Sequence, residues 1–187
     1  MKEEKQKLLL ALISTVIISG FGALNHFIYD WMNESKWVKW AVATDESTFQ
    51  HMKMALYPWI VTILVSYLLF KFKFLKNWVS SVLGLWVYLL MVPTFFYFWT
   101  LVLKNEHSLN YDIATFIISV LLGVIVWVNT SGLSIDCKLD RLLTGCGYIT
   151  AIWWFTLCTE YSCPDIYLEP EHSHDHGDDH DDHDDDH

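Results

Sequence analysis

Side chains that could bind a metal ion or move a proton are concentrated where apolar stretches begin or end. The segment DESTFQHMKMALYP, residues 45–58, brings two acids, two hydroxyls, a glutamine and His51 to the start of an apolar stretch. His26 lies near the end of the preceding apolar stretch, and Asp112 opens a later one. Two imidazoles with one or two carboxylates suit Zn²⁺ or another divalent first-row metal. The sequence therefore predicts a divalent-metal site formed by His26, Glu46, His51 and Asp112.

The same polar segment has simpler interpretations. Thr44 or Asp45 can cap a helix, Thr48 can satisfy a free amide, and Lys53 is expected to extend its amine towards lipid headgroups. Capping does not account for His51, because a polar ring inside an apolar helix must be hydrogen-bonded, coordinated or in contact with water. The body contains no His-x-x-x-His or Glu-x-x-His pair. A metal site, a proton relay and a polar substrate pocket therefore all remain open.

The last 17 residues, EHSHDHGDDHDDHDDDH, form a second concentration of possible ligands. Six imidazoles lie there among eight aspartates and one glutamate: His172, His174, His176, His180, His183 and His187. Such a segment has no apolar surface to bury, so we expect residues 166–187 to be disordered. The imidazoles could bind Zn²⁺, Ni²⁺ or Cu²⁺, with an affinity that falls below about pH 6 as they take up protons. The alternative is a solvated acidic tail.

The body that must position these groups has the composition of a membrane protein. The chain is 53% hydrophobic and only 18% charged, and it contains no phosphate-binding loop and no basic patch for nucleic acid. About 20 apolar residues are needed for a helix to cross a bilayer. Five segments qualify, although four or six crossings remain possible: residues 8–31, 54–70, 79–103, 112–128 and 142–158. We predict an all-α, polytopic membrane domain over residues 1–165.

The distribution of Lys and Arg predicts an orientation. With a cytoplasmic N-terminus, eight of the 12 basic residues fall on the inner side, including the run KFKFLK at residues 71–76. An odd number of crossings then places the C-terminus outside the cell membrane. All nine histidines fall on that outer side. Cys158 and Cys163 lie at the same side, where an oxidising milieu could join them, whereas Cys137 and Cys146 are expected to be thiols.

Two stretches resemble a family of small bacterial integral membrane proteins known as a domain of unknown function. They are GALNHFIYDW, with a His-x-x-Tyr element, and DESTFQHMKMALYP, which is similar to the family's Asn-Glu-Ser-x-Trp-Glu-His-Leu-Lys element. The Asp112–Ile113 pair also matches, as does Phe155–Thr156 before Pro164. This chain differs by having Asp45, Phe49 and Gln50 in the second element. The resemblance implies a membrane helical fold and excludes the acidic tail, but it implies no activity.

Three classes of function follow from these features. The first is a metal-binding or transport-accessory protein, whose outer site and tail collect divalent cations for a metal transporter or another membrane protein. The second is a small intramembrane enzyme that uses metal-activated water on a lipid or envelope substrate. The third is a structural or signalling subunit without catalysis. Conduction by the chain alone is not favoured, because the third and fourth apolar segments have almost no polar residues at their centres.

Overall fold

The described part of the chain is entirely helical. The structure, a computed structural model, describes residues 2–33, 35, 38–39, 41–43, 48–70, 74–104 and 109–161. Its six α-helices are α1 (Lys2–Trp31), α2 (Thr48–Met54), α3 (Leu56–Val65), α4 (Val79–Tyr97), α5 (Leu109–Thr130) and α6 (Cys137–Tyr161). Two π-helical turns continue α3 and α4, at Ser66–Phe70 and Phe98–Val102. No strand occurs in these ranges, which confirms the predicted all-α class.

Among the described residues, four stretches are long and apolar enough to cross a membrane. They are Glu3–Asn25, Val79–Val102, Asn110–Thr130 and Cys137–Thr159. These stretches coincide with the first, third, fourth and fifth segments predicted from the sequence. The acidic tail lies outside the described residues, so its disorder stays a prediction.

The segment predicted as the second crossing, residues 54–70, is not one continuous helix. The ten residues of α3 and the five of the following π-helical turn rise only about 22 Å together, against about 30 Å for a bilayer core. The short α2 precedes them, and the helix is interrupted at Ala55. Pro58 explains the interruption: proline is tolerated in the first turn of α3, but it has no N–H to donate to the carbonyl of Met54.

Side chains from neighbouring helices hydrogen-bond to the carbonyl groups at this interruption. The Nδ2 of Asn25, on α1, donates to the carbonyl oxygens of Met54 and Ala41 at 3.2 Å each. The hydroxyl of Tyr88, on α4, lies 2.7 Å from the carbonyl oxygen of His51 and 3.1 Å from that of Met52. These contacts fix the backbone of α2, and with it the position of His51.

The centre of the bundle is built on close contact between α4 and α5. A Cβ atom added at Gly84 would lie 2.5 Å from the carbonyl oxygen of Gly123, and one added at Gly123 would lie 2.6 Å from that of Gly84. The indole of Trp59 covers both glycines and donates to the carbonyl oxygen of Ser81 at 3.1 Å. Small residues allow helices to approach this closely inside a membrane. Helix α5 also packs against α1, and α6 packs against α4.

At the opposite end of the bundle from His51, α6 caps α4. The carboxylate of Asp140 accepts hydrogen bonds from the backbone N–H groups of Trp78 and Val79, at 2.8 to 3.1 Å. These amides lie at the start of α4, where N–H groups have no partner within the helix. The Nδ2 of Asn77 lies within 3.1 Å of three carbonyl oxygens at and beyond the end of α5, on Thr130, Ser131 and Leu133. The two connections α3–α4 and α5–α6 are therefore held together.

Candidate functional site

Two of the four predicted body ligands, His51 and Asp112, line the same pair of cavities. His51 is on α2 and Asp112 is in the first turn of α5, where a carboxylate is favoured by the helix dipole. Glu46 lies outside the described residues, as do the six tail histidines. The side chain of His26 is likewise not described. The structure therefore brings half of the predicted set together and does not test the other half.

The larger cavity lies between α1, α2 and α5 and has a volume of about 620 Å³. This volume is typical of small-molecule sites. It is lined by Ser19, Gly20, Ala23, Phe27, His51, Met54, Asp112, Ile113, Phe116 and Ile117. Phe27, Ile113 and Ile117 are exposed, so the cavity opens on the lateral surface of the bundle, between α1 and α5. Its walls are apolar apart from His51, Asp112 and Ser19.

A much smaller cavity adjoins the larger one. It offers about 10 Å³ to the centre of a water-sized group and is lined by Thr48, His51, Val92, Phe96, Asp112, Thr115 and Phe116. A site of this size holds about one water molecule. His51, Asp112 and Phe116 line both cavities, so these three residues form the boundary between them. The site therefore consists of a wide, mainly apolar cavity beside a narrow one, and His51 and Asp112 are the ionisable residues that line both.

Helix α2 is buried on almost every side although it is short and polar. Six of its seven residues are buried, and His51 is half-buried. The side chain of Lys53 is fully buried, and its Nζ donates to the carbonyl oxygen of Lys39 at 2.7 Å. The expectation that Lys53 extends towards headgroups is therefore wrong. The reason is that the carbonyl oxygen of Lys39 lies within hydrogen-bonding distance of the amine and accepts from it.

The cysteines agree with the prediction as far as they are described. Cys137 and Cys146 carry free thiols, and Cys158 is disulfide-bonded. Cys163, the predicted partner of Cys158, lies outside the described residues.

The described side chains contain no group of three or more His, Cys, Asp and Glu residues that could hold a metal ion. Because Glu46, the side chain of His26 and the tail lie outside that set, the predicted metal site stays a prediction. The part of the site that is described fits hydrogen bonding more directly than metal coordination. One imidazole and one carboxylate are accompanied by the hydroxyls of Thr48 and Thr115.

Sequence reasoning missed Thr115 as a site residue and assigned Thr48 only to capping. A usable signal exists on α5, since Asp112, Thr115 and Ser119 recur at the spacing of one helix face. All three are buried. Three buried polar residues of α5 thus lie on a single face, and two of them, Asp112 and Thr115, line the narrow cavity.

The fold and the site together define a class: a bundle of long apolar helices with a buried polar cluster at one end and a lateral apolar cavity beside it. Comparison with known protein families assigns the chain to a family. Residues 1–167 match the family of unknown function DUF6512, so the chain belongs to this family. The match covers the helical body and stops before the His/Asp-rich end, as the sequence resemblance implied. No curated protein and no solved structure matches the chain.

Proposed function

We propose that this chain is a multi-pass membrane protein that binds a membrane-soluble ligand in the cavity between α1, α2 and α5. One observation carries the proposal: an apolar cavity of about 620 Å³ opens on the side of the bundle and ends at His51 and Asp112. Ionisable groups at membrane depth are costly and mark functional sites. A ligand that enters between α1 and α5 would leave the bilayer sideways and meet these two residues.

The proposal includes a fifth crossing made of three pieces. Along a common axis, α2, α3 and the π-helical turn, from Thr48 to Phe70, would rise about 35 Å, which is enough to cross a bilayer core. Irregular backbone is tolerated at membrane depth where protein surrounds it. Ala55, at the interruption, is fully buried. Five crossings would place the N-terminus in the cytoplasm and the C-terminus outside, as the basic residues predict.

Blocking the cavity tests the proposal. A Cβ atom added at Gly20, which lines the cavity, meets nothing within 4 Å, so Gly20→Leu can add a side chain at the cavity wall. Gly145→Leu is the matched control, because its Cβ also meets nothing within 4 Å and it lies on α6, away from the cavity. The probes are photoactivatable hexadecyl compounds with amine, alcohol, carboxylate or phosphate heads, incorporated into nanodiscs that contain the full-length protein.

We expect at least one probe to crosslink to α1 or α5 residues that line the cavity. Gly20→Leu should lower that crosslinking by roughly tenfold, which corresponds to about 1.4 kcal/mol of binding free energy. Gly145→Leu should leave it unchanged. The absence of crosslinks to the cavity for all four probes would refute the proposal, as would equal labelling of the Gly20→Leu variant.

A second function is favoured by the tail alone. Six imidazoles within residues 172–187 form a ligand set for divalent cations such as Zn²⁺. Elemental analysis of the full-length chain and of a chain truncated after residue 165 tests this function. We expect several bound equivalents in the full-length chain and their loss on truncation. One tight equivalent that survives truncation and is removed by His51→Ala would instead support the body metal site, and with it a metal-handling or metalloenzyme role.

A further inference from the structure

We infer that the ligand of this cavity carries a single small hydrogen-bond-donating head, a primary amine or a hydroxyl, on an apolar body. This inference rests on the proposed function and adds the chemical class of the ligand. It depends on the size of the narrow cavity, on the charge of the residues around it, and on the rigidity of the boundary between the two cavities.

The narrow cavity limits the size of the head. About 10 Å³ is available to the centre of a water-sized group, beside Thr48, His51, Asp112 and Thr115. One nitrogen or one oxygen atom fills that space. A carboxylate brings two oxygen atoms, and a phosphate brings four around a central atom. Either of these heads would have to push apart side chains that are already buried.

The charge around the narrow cavity favours a donor over an anion. The described residues that line the two cavities include one carboxylate, Asp112, and no Lys or Arg. A carboxylate accepts hydrogen bonds from ammonium and hydroxyl groups and repels anions, and such charge-assisted bonds are about twice as strong as neutral ones. The hydroxyls of Thr48 and Thr115 can accept or donate. An amine or alcohol thus finds acceptors here, whereas a phosphate would face the carboxylate of Asp112 with only the imidazole of His51 as a basic side chain among the described lining residues.

The boundary between the cavities is held in place. A Cβ atom at Gly22 would lie 2.6 Å from Cζ of Phe116, so this ring occupies the space that the glycine leaves. The ring also makes an edge-to-face contact with Tyr88, with 6.1 Å between centroids. Phe116 is therefore packed between Gly22 and the ring of Tyr88. The apolar body of the ligand would pass this ring and lie in the wide cavity along α1 and α5.

The four hexadecyl probes also test the head group, because they share one chain and differ only in the head. We expect the amine and the alcohol to crosslink to the cavity at least roughly tenfold more than the carboxylate and the phosphate at pH 7. Asp112→Asn should reduce labelling by the amine several-fold more than labelling by the alcohol, because only the amine loses a charge partner. Asp136→Asn is the matched control, since Asp136 is exposed and lies at the other end of the bundle, where it caps α6.

The outcomes separate this inference from the proposed function. Stronger labelling by the carboxylate or the phosphate, lost in the Gly20→Leu variant, would overturn the head-group inference and leave the binding function standing. No cavity labelling by any probe would overturn both. The comparison of head groups needs only the wild-type protein, so it decides the question even if the Asp112→Asn variant does not fold.

Discussion

Alanine at Gly123 should destabilise the bundle even though alanine is normally the better residue in a helix. The added Cβ would lie 2.6 Å from the carbonyl oxygen of Gly84 and 3.0 Å from the indole of Trp59. The nearest atom belongs to backbone and cannot rotate away. The helices α4 and α5 must therefore separate at the point where they are closest.

The size of the effect follows from two opposing contributions. Replacement of glycine by alanine inside a helix gains about 0.5–1 kcal/mol. Overpacking of a close contact costs about 1–3 kcal/mol. The reciprocal contact at Gly84 shows that neither helix has space for an added methyl group at this point. We expect a net loss of about 1–2 kcal/mol for Gly123→Ala and for Gly84→Ala. The double variant should lose less than the sum, because one separation accommodates both methyl groups.

Thermal unfolding in detergent measures this prediction. For a chain of this length, each kcal/mol shifts Tm by about 2–4 °C. Gly145→Ala is the control and should have the opposite effect on Tm. Its Cβ meets nothing within 4 Å, so only the higher helix propensity of alanine affects stability. Gly123→Ala should thus lower Tm while Gly145→Ala raises it. If both variants raise Tm equally, the close approach of α4 and α5 does not exist in the folded protein.

Three further substitutions test the polar contacts. Asn25→Ala removes the donor to the carbonyl oxygens of Met54, at the α2–α3 interruption, and of Ala41, and should cost about 1–3 kcal/mol in thermal unfolding. An unchanged Tm would mean that water replaces the amide. Asp140→Ala leaves the amides of Trp78 and Val79 without their acceptor and should also cost about 1–3 kcal/mol. Asp136→Ala, at an exposed cap, is the control. An equal or smaller cost for Asp140→Ala would contradict the role of Asp140 in capping α4. Thr48→Val should keep or raise Tm while reducing crosslinking of the amine probe; a large loss of stability would show that the Thr48 hydroxyl serves folding rather than ligand binding.

The long helices could be predicted from the sequence because membrane-length apolarity is a local property. The apolar run that begins at residue 8 marks α1, although the helix itself begins at Lys2. The charged first turns are helical because Lys7 pairs with Glu3 and Glu4, at 3.1 and 3.2 Å, one turn apart. Composition thus predicts where the apolar part of α1 begins, and the charge pairs stabilise the helical turn that precedes it.

The interruption at Ala55 could not be predicted with the same ease. Pro58 is visible in the sequence, but proline in a first turn is compatible with a continuous segment. Whether the helix breaks depends on donors for the freed carbonyl oxygens, and these come from Asn25 and Tyr88 on other helices. The cap on α4 is equally distant, since Asp140 follows Trp78 by 62 residues. Contacts across such separations leave no periodic signal.

The site was predictable to the extent that ionisable residues in apolar surroundings are rare. His51 and Asp112 stand out for this reason, and the structure places both at one pair of cavities. The threonines do not stand out, because hydroxyls at helix starts usually cap the backbone. The cavity itself depends on the small side chains of Gly20 and Ala23 on α1. Small residues on an apolar helix do not predict a cavity until the position of α5 beside them is known.

The burial of α2 argues that its polar residues serve a site rather than a helix end. Capping groups normally remain in contact with water, yet Thr48, Gln50 and Lys53 are all buried. Burial of polar groups costs free energy even when hydrogen bonds compensate for it, and apolar residues of the same shape would often give a more stable bundle. Proteins break local rules of this kind mainly at functional sites, at the expense of stability. Of the polar residues of α2, Thr48 and His51 line the cavities, so the proposed ligand would account for these two, whereas the amine of Lys53 is held by the carbonyl oxygen of Lys39.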